Sequence, residues 1–180
     1  MNKYLALLRG INVGGNNIIK MVDLKICFES IGFANVQTYI QSGNVLFESE
    51  ANDIEKLTSN IEKVLSERFN YRSKVVIVSQ KQLEKIVSNA PQGFGSDTDS
   101  FRYDVYFLKN PLTADEVIKS IKLKEGVDAI YPSNLVVYAS KLISKASQSR
   151  LTRMISLPIY QSMTIRNWNT TTKLLEIMEK

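Results

Sequence analysis

Histidine is absent from the 180 residues of this chain, and cysteine occurs once, at Cys27. The first absence removes the commonest general base, the commonest metal ligand and every Ser-His-Asp or Cys-His nucleophile scheme. The second rules out a disulfide within the chain and a thiolate zinc cage. The sequence therefore suggests no metal and no cofactor. Long apolar runs are missing too: nothing approaches the ~18–20 residues of a membrane span. The N-terminal run Tyr4–Leu8 stops at Arg9, short of the ~7–15 apolar residues of a signal-peptide core. The expectation is a soluble cytoplasmic protein with no membrane partner.

Acidic residues are missing in one place. The net charge is +5, from 23 Lys plus Arg against 18 Asp plus Glu, yet no acid occurs between Ala129 and Leu175. Those 47 positions hold Lys141, Lys145, Arg150, Arg153, Arg166 and Lys173 instead. A window of this kind suits an anionic partner, and it equally suits a solvated basic face with no ligand.

The apolar content, 44%, is ample for a buried core. Lys3–Arg9 has strand length, and Met21–Ile31 places Leu24, Cys27, Phe28 and Ile31 at helical spacing. Val36–Gln41 and Asn44–Ser49 flank Ser42-Gly43 as a hairpin. Asp53 can cap a helix whose apolar face is Ile54, Leu57, Ile61, Val64 and Leu65, and Lys74–Ser79 is a buried strand. The order is β-α-β-β-α-β, a ferredoxin-like unit. A helix with Leu83, Ile86 and Val87 leads to Pro91–Ser100, a linker by composition.

The order then recurs. Arg102–Lys109 is a strand, Thr113 caps a helix through Glu116, and Val127–Tyr131 with Leu135–Ser140 forms a second hairpin. Ser147 can cap a helix with Leu151, Met154 and Ile155. Ser162–Arg166 is a strand, and Asn169 can cap a final helix. The fold class expected is α+β, two ferredoxin-like halves related by duplication plus a C-terminal helix. The division is 1–80, a connecting helix and linker over 81–100, and 101–180.

Three segments could carry chemistry. Arg9, Gly10, Asn12, Gly14, Gly15 and Asn16 lie in a strand-to-helix loop whose glycines bring amides close to a ligand. The Gly10-to-Gly15 spacing matches a phosphate loop, but Asn16-Asn17 replaces its Lys-Ser/Thr, so a plain turn is the competing reading. Tyr39, Gln41, Ser42 and Asn44 form the second segment. Strand alternation puts Thr38 and Ile40 on one face and Tyr39 and Gln41 on the other, where they suit either an open binding surface or sheet packing. The third is Arg166, Asn167, Trp168 and Lys173, at a strand-to-helix junction inside the acid-free window. It combines charge, a π-face and helix amides; helix capping with Trp168 as packing is the alternative. None of the three holds a carboxylate pair, so paired-carboxylate acid–base catalysis has no support.

The motifs Leu7-Leu-Arg-Gly-Ile-Asn-Val-Gly-Gly15, Thr38-Tyr-Ile-Gln-Ser-Gly-Asn-Val45 and Arg166-Asn-Trp-Asn-Thr170 resemble the bacterial family defined by the domain of unknown function 1697, over nearly the whole chain. The resemblance implies a compact α+β protein with no established activity, substrate or cofactor, and hence no catalytic residues to transfer. Asn169 stands where similar proteins often have Arg. The leading expectation is a binder of an anionic small molecule or a nucleic acid. An enzyme acting by electrostatic stabilisation without histidine and a homo-oligomeric interaction module are the rivals, and the oligomeric state is open.

Overall fold

In the computed structural model, which describes residues 1–180, the chain divides into two compact units. One comprises Met1–Glu84 with Ile177–Lys180, the other Lys85–Glu176.

The first unit contains β1 (Asn2–Leu8), α1 (Met21–Ser30), β2 (Ala34–Tyr39), β3 (Asn44–Ser49), α2 (Ile54–Phe69) and β4 (Val75–Ser79). The strands form an antiparallel sheet in the order β2-β3-β1-β4. β1 is central because both its faces are apolar: Tyr4 through Leu8 are all buried. Tyr4, Ala6 and Leu8 share a face with Val45, Phe47, Val75 and Ile77, and α1 and α2 close over it with Leu24, Phe28, Leu57, Ile61 and Leu65. Phe47 anchors this core, with its ring 4.4 Å from that of Phe33 and 5.5 Å from that of Phe28. α2 begins where Asp53 accepts the amides of Glu55 and Lys56, and it ends at Asn70 in the left-handed conformation. A bulge between Ala34 and Gln37 interrupts β2, with Asn35 at φ +48°.

The second unit contains the end of α3 (Gln80–Ser88), from Lys85 on, then β5 (Phe101–Leu108), α4 (Ala114–Ser120), β6 (Asp128–Pro132), β7 (Val136–Leu142) and β8 (Met163–Asn167). α5 (Trp168–Met178) follows. The sheet order is β6-β7-β5-β8, again antiparallel throughout. In both sheets the first strand of the unit lies between its third and fourth, and the second lies at an edge. A capping box starts α4: Thr113 Oγ1 accepts the Glu116 amide while the Glu116 carboxylate accepts the Thr113 amide. The 91–100 segment is folded back on itself, with Phe94 N donating to Pro91 O and Phe101 N to Asp97 O.

The structure departs from two of the helices expected from the sequence. The helix expected from Ser147 through Ile155 is instead part of a run of three 3-10 helices, Ile143–Gln148, Leu151–Ser156 and Pro158–Ser162. Hydroxyls compete for the backbone there. Ser149 Oγ accepts the Leu151 amide, Thr152 Oγ1 donates to Ser149 O, and Ser156 Oγ donates to Arg153 O. Pro158, lacking an N–H, bars continuation as an α-helix. The final helix starts one residue before Asn169, because Asn167 Oδ1 accepts the Asn169 amide and so supplies the cap.

Candidate functional site

The first two segments come together inside the first unit. After β1 the chain turns at Gly10, and Asn12 N donates to Asn17 O while Asn16 N donates to Val13 O. Gly14 and Gly15, at φ +59° and +76°, are thus the central pair of a tight hairpin, a conformation that two glycines adopt without strain. The Asn12 side chain braces this hairpin. Its Oδ1 accepts Ile19 N at 2.8 Å, and its Nδ2 donates to Ile19 O at 3.0 Å and to Gln41 O at 2.9 Å. Asn17 Nδ2 donates to Gly10 O.

On the other side Leu8 N donates to Gly43 O, and Gly43 sits so close that a Cβ there would lie 2.7 Å from Ile11 Cδ1. Asn44 is fully buried and its Nδ2 donates to Tyr39 O and Ser42 Oγ. The asparagine amides of both segments are therefore ligatures between loops. Asn16 and Gln41 are exposed, and Arg9, Tyr39 and Ser42 are half-buried. β2 ends at Tyr39, since Ile40 takes φ +49°, rare for a β-branched residue. The strand alternation expected through Ile40 and Gln41 stops there.

The third segment lies in the second unit. Arg166 is on β8, an edge strand, only 8% exposed, and Nη1 donates to Ile165 O at 2.9 Å. Burial pulls its guanidinium down to about 10, a shift that neighbouring Tyr160 partly offsets. Asn167 Nδ2 donates to Tyr103 O. Trp168 belongs to an aromatic cluster: Phe94 meets its ring edge-on at 5.1 Å, and Phe94 likewise meets Tyr103 and Tyr138. Gly95 lies against the indole itself, where a Cβ would fall 2.2 Å from Cδ1. Lys173 forms an ion pair with Glu176 one turn along α5.

Asp128, the last acid before the acid-free stretch, organises the basic segment, although it belongs to no sequence motif. It accepts Ser149 Oγ on one oxygen, and on the other the amides of Arg150 at 2.8 Å and Lys124 at 3.0 Å. Its position at the boundary of the window was the available signal. Arg150 precedes the 3-10 helix Leu151–Ser156, and Arg153 N donates to Arg150 O at 3.0 Å. The Arg150 side chain reaches back to Lys122, whose backbone carbonyl accepts Nη1 at 3.4 Å. Cys27 is 1% exposed and burial pushes its thiol up, which makes it a core residue. No group of three acidic or thiol side chains is arranged to hold a metal ion, and no helix is long and apolar enough to cross a membrane.

Two four-stranded antiparallel sheets with accompanying helices define a mixed α/β protein. The chain belongs to the family described as Protein of unknown function (DUF1697), whose model matches residues 1–138. A solved structure, that of the conserved bacterial protein SP0830 from Streptococcus pneumoniae, is similar at 27% identity and a TM-score of 0.86, with 98% of each chain covered. Among curated proteins none matches the chain.

Proposed function

We propose that this protein binds an anionic ligand, a nucleic acid or a phosphorylated metabolite, through arginines of its second unit. The observation that carries the reading is the basic stretch around the 3-10 helix Leu151–Ser156, with Arg150 at its N-cap and Arg153 within it, inside 47 residues that contain no carboxylate. Guanidiniums offer forked donors matched to phosphate oxygens. Arg166 adds a desolvated guanidinium, and in such a setting an anion is held more strongly than in water. In the first unit Arg9, the Gly10–Asn16 hairpin and Gln41 are a second donor set for the same class of ligand. Ferredoxin-like duplication is part of the proposal, supported by the common strand order of the two sheets. A cytoplasmic location is supported by the single, buried cysteine.

Fluorescence anisotropy with single- and double-stranded DNA and RNA tests the nucleic-acid form. Affinity is expected to fall with salt at a log–log slope of about −0.7 to −0.9 per phosphate contact, and the Arg150→Ala/Arg153→Ala variant to lose about two such contacts. A thermal-shift panel of nucleotides and sugar phosphates tests the small-molecule form, since a ligand at 100 times its Kd stabilises by about 2.7 kcal/mol. Flat responses in both overturn the reading.

A further inference from the structure

The sheet of the first unit has a second face, turned away from α1 and α2. Strand alternation places Lys3, Leu46, Glu48 and Gln37 on it, and the register sets Lys3 opposite Glu48 and Leu46 opposite Gln37. A cavity of about 320 Å³ lies there, lined by these residues and by Ile177, Met178 and Lys180. Lys3 Nζ donates to Met178 O at 2.7 Å, which ties the last turn of α5 to the sheet. The β2 bulge turns Asn35 toward the same place, where its Nδ2 donates to Glu48 Oε2 at 3.0 Å. Bulges recur at binding sites because they re-aim a side chain in this way.

The lining is a carboxylate, two ammonium groups and two amides around the apolar surface of Leu46 and Ile177. A polyanion is disfavoured by Glu48, and a simple cation by the two lysines. A molecule that carries both charges satisfies the set. The volume lies at the small end of ligand cavities, which run from ~300 to 1,000 Å³, so the occupant is small.

We propose that this cavity is a binding site for a small zwitterion of the α-amino acid or dipeptide class with an apolar side chain. Its ammonium is received by Glu48, and its carboxylate by Lys3 and Lys180. Lys3 has two ammonium protons beyond the one given to Met178. The apolar side chain rests on Leu46 and Ile177. This site is separate from the arginines of the second unit and stands or falls independently of them.

Isothermal titration of the full chain with L-leucine, L-leucyl-L-leucine, N-acetyl-L-leucine and L-leucinamide tests the proposal. The first two are expected to bind. Loss of the free amine or of the free carboxylate is expected to weaken binding at least about tenfold, the worth of a charged hydrogen bond. Glu48 and Lys3 are half-buried surface residues, so Glu48→Gln and Lys3→Met are suited to retain the fold, checked by circular dichroism. Glu48→Gln is expected to abolish the preference for leucine over its N-acetyl form, and Lys3→Met to reduce that over leucinamide. The Arg150→Ala/Arg153→Ala variant is expected to bind leucine unchanged. Equal binding of all four compounds, no binding of any at millimolar concentration, or full retention of both preferences in the two variants overturns the proposal.

Discussion

At Gly95 the backbone takes φ +84°, and a Cβ would meet the Trp168 indole at 2.2 Å. Alanine there both strains a left-handed position and pries the ring from Phe94. Gly95→Ala is expected to cost about 2–4 kcal/mol in denaturant unfolding and to shift the Trp168 emission. Asn12 is a second such residue. It is at φ +53°, which asparagine tolerates, and its side chain makes three hydrogen bonds to backbone groups of Ile19 and Gln41. Asn12→Ala leaves those groups without their amide and is expected to cost about 2–3 kcal/mol. The glycines and asparagines of this region are conspicuous in the sequence as turn and donor residues. Their spending on each other is not, because the acceptor Gln41 O lies 29 residues away and is a backbone atom with no signature of its own.

At the scale of single elements, local chemistry is decisive where a cap or a period is strong. Asp53 starts α2, and its carboxyl is held below the ordinary 3.8, chiefly by the Lys56 amide. A carboxyl depressed in the folded state contributes stability above its unfolded pKa and loses it as the pH falls through the folded value. Asp53→Ala is therefore expected to lower Tm at pH 7, with the gap between variant and parent closing as the pH drops below 3.8. Thr113 and Glu116 were equally legible, since a capping box needs only residues three apart. The 143–162 stretch was not. Its apolar spacing fits an α-helix, but Asp128 draws Ser149 and Arg150 into a turn. Serine and threonine hydroxyls compete for the remaining backbone groups, and a 3-10 run results.

For the whole molecule, charge is unequal between the units. The second holds twelve basic and eight acidic side chains, +4, and the first eleven and ten, +1. Retention on a heparin column is expected to follow location rather than sum: Arg150→Glu/Arg153→Glu lowers the eluting salt far more than Lys63→Glu/Lys81→Glu, although each pair changes the net charge equally. The sequence by itself determined the absence of histidine chemistry, the apolar periods of β1 and α2, the helix caps at Asp53 and Thr113, and the acid-free window. These are local properties, set by residues within one or two turns of each other. Only the tertiary structure decided that Asn12 and Asn44 face inward, that Trp168 is packed on Gly95, and that Lys3 and Glu48 meet across β1 and β3 beside Met178. Strand pairing and loop closure join positions far apart in the chain, and burial then dictates which polar groups must satisfy one another and which remain for a ligand.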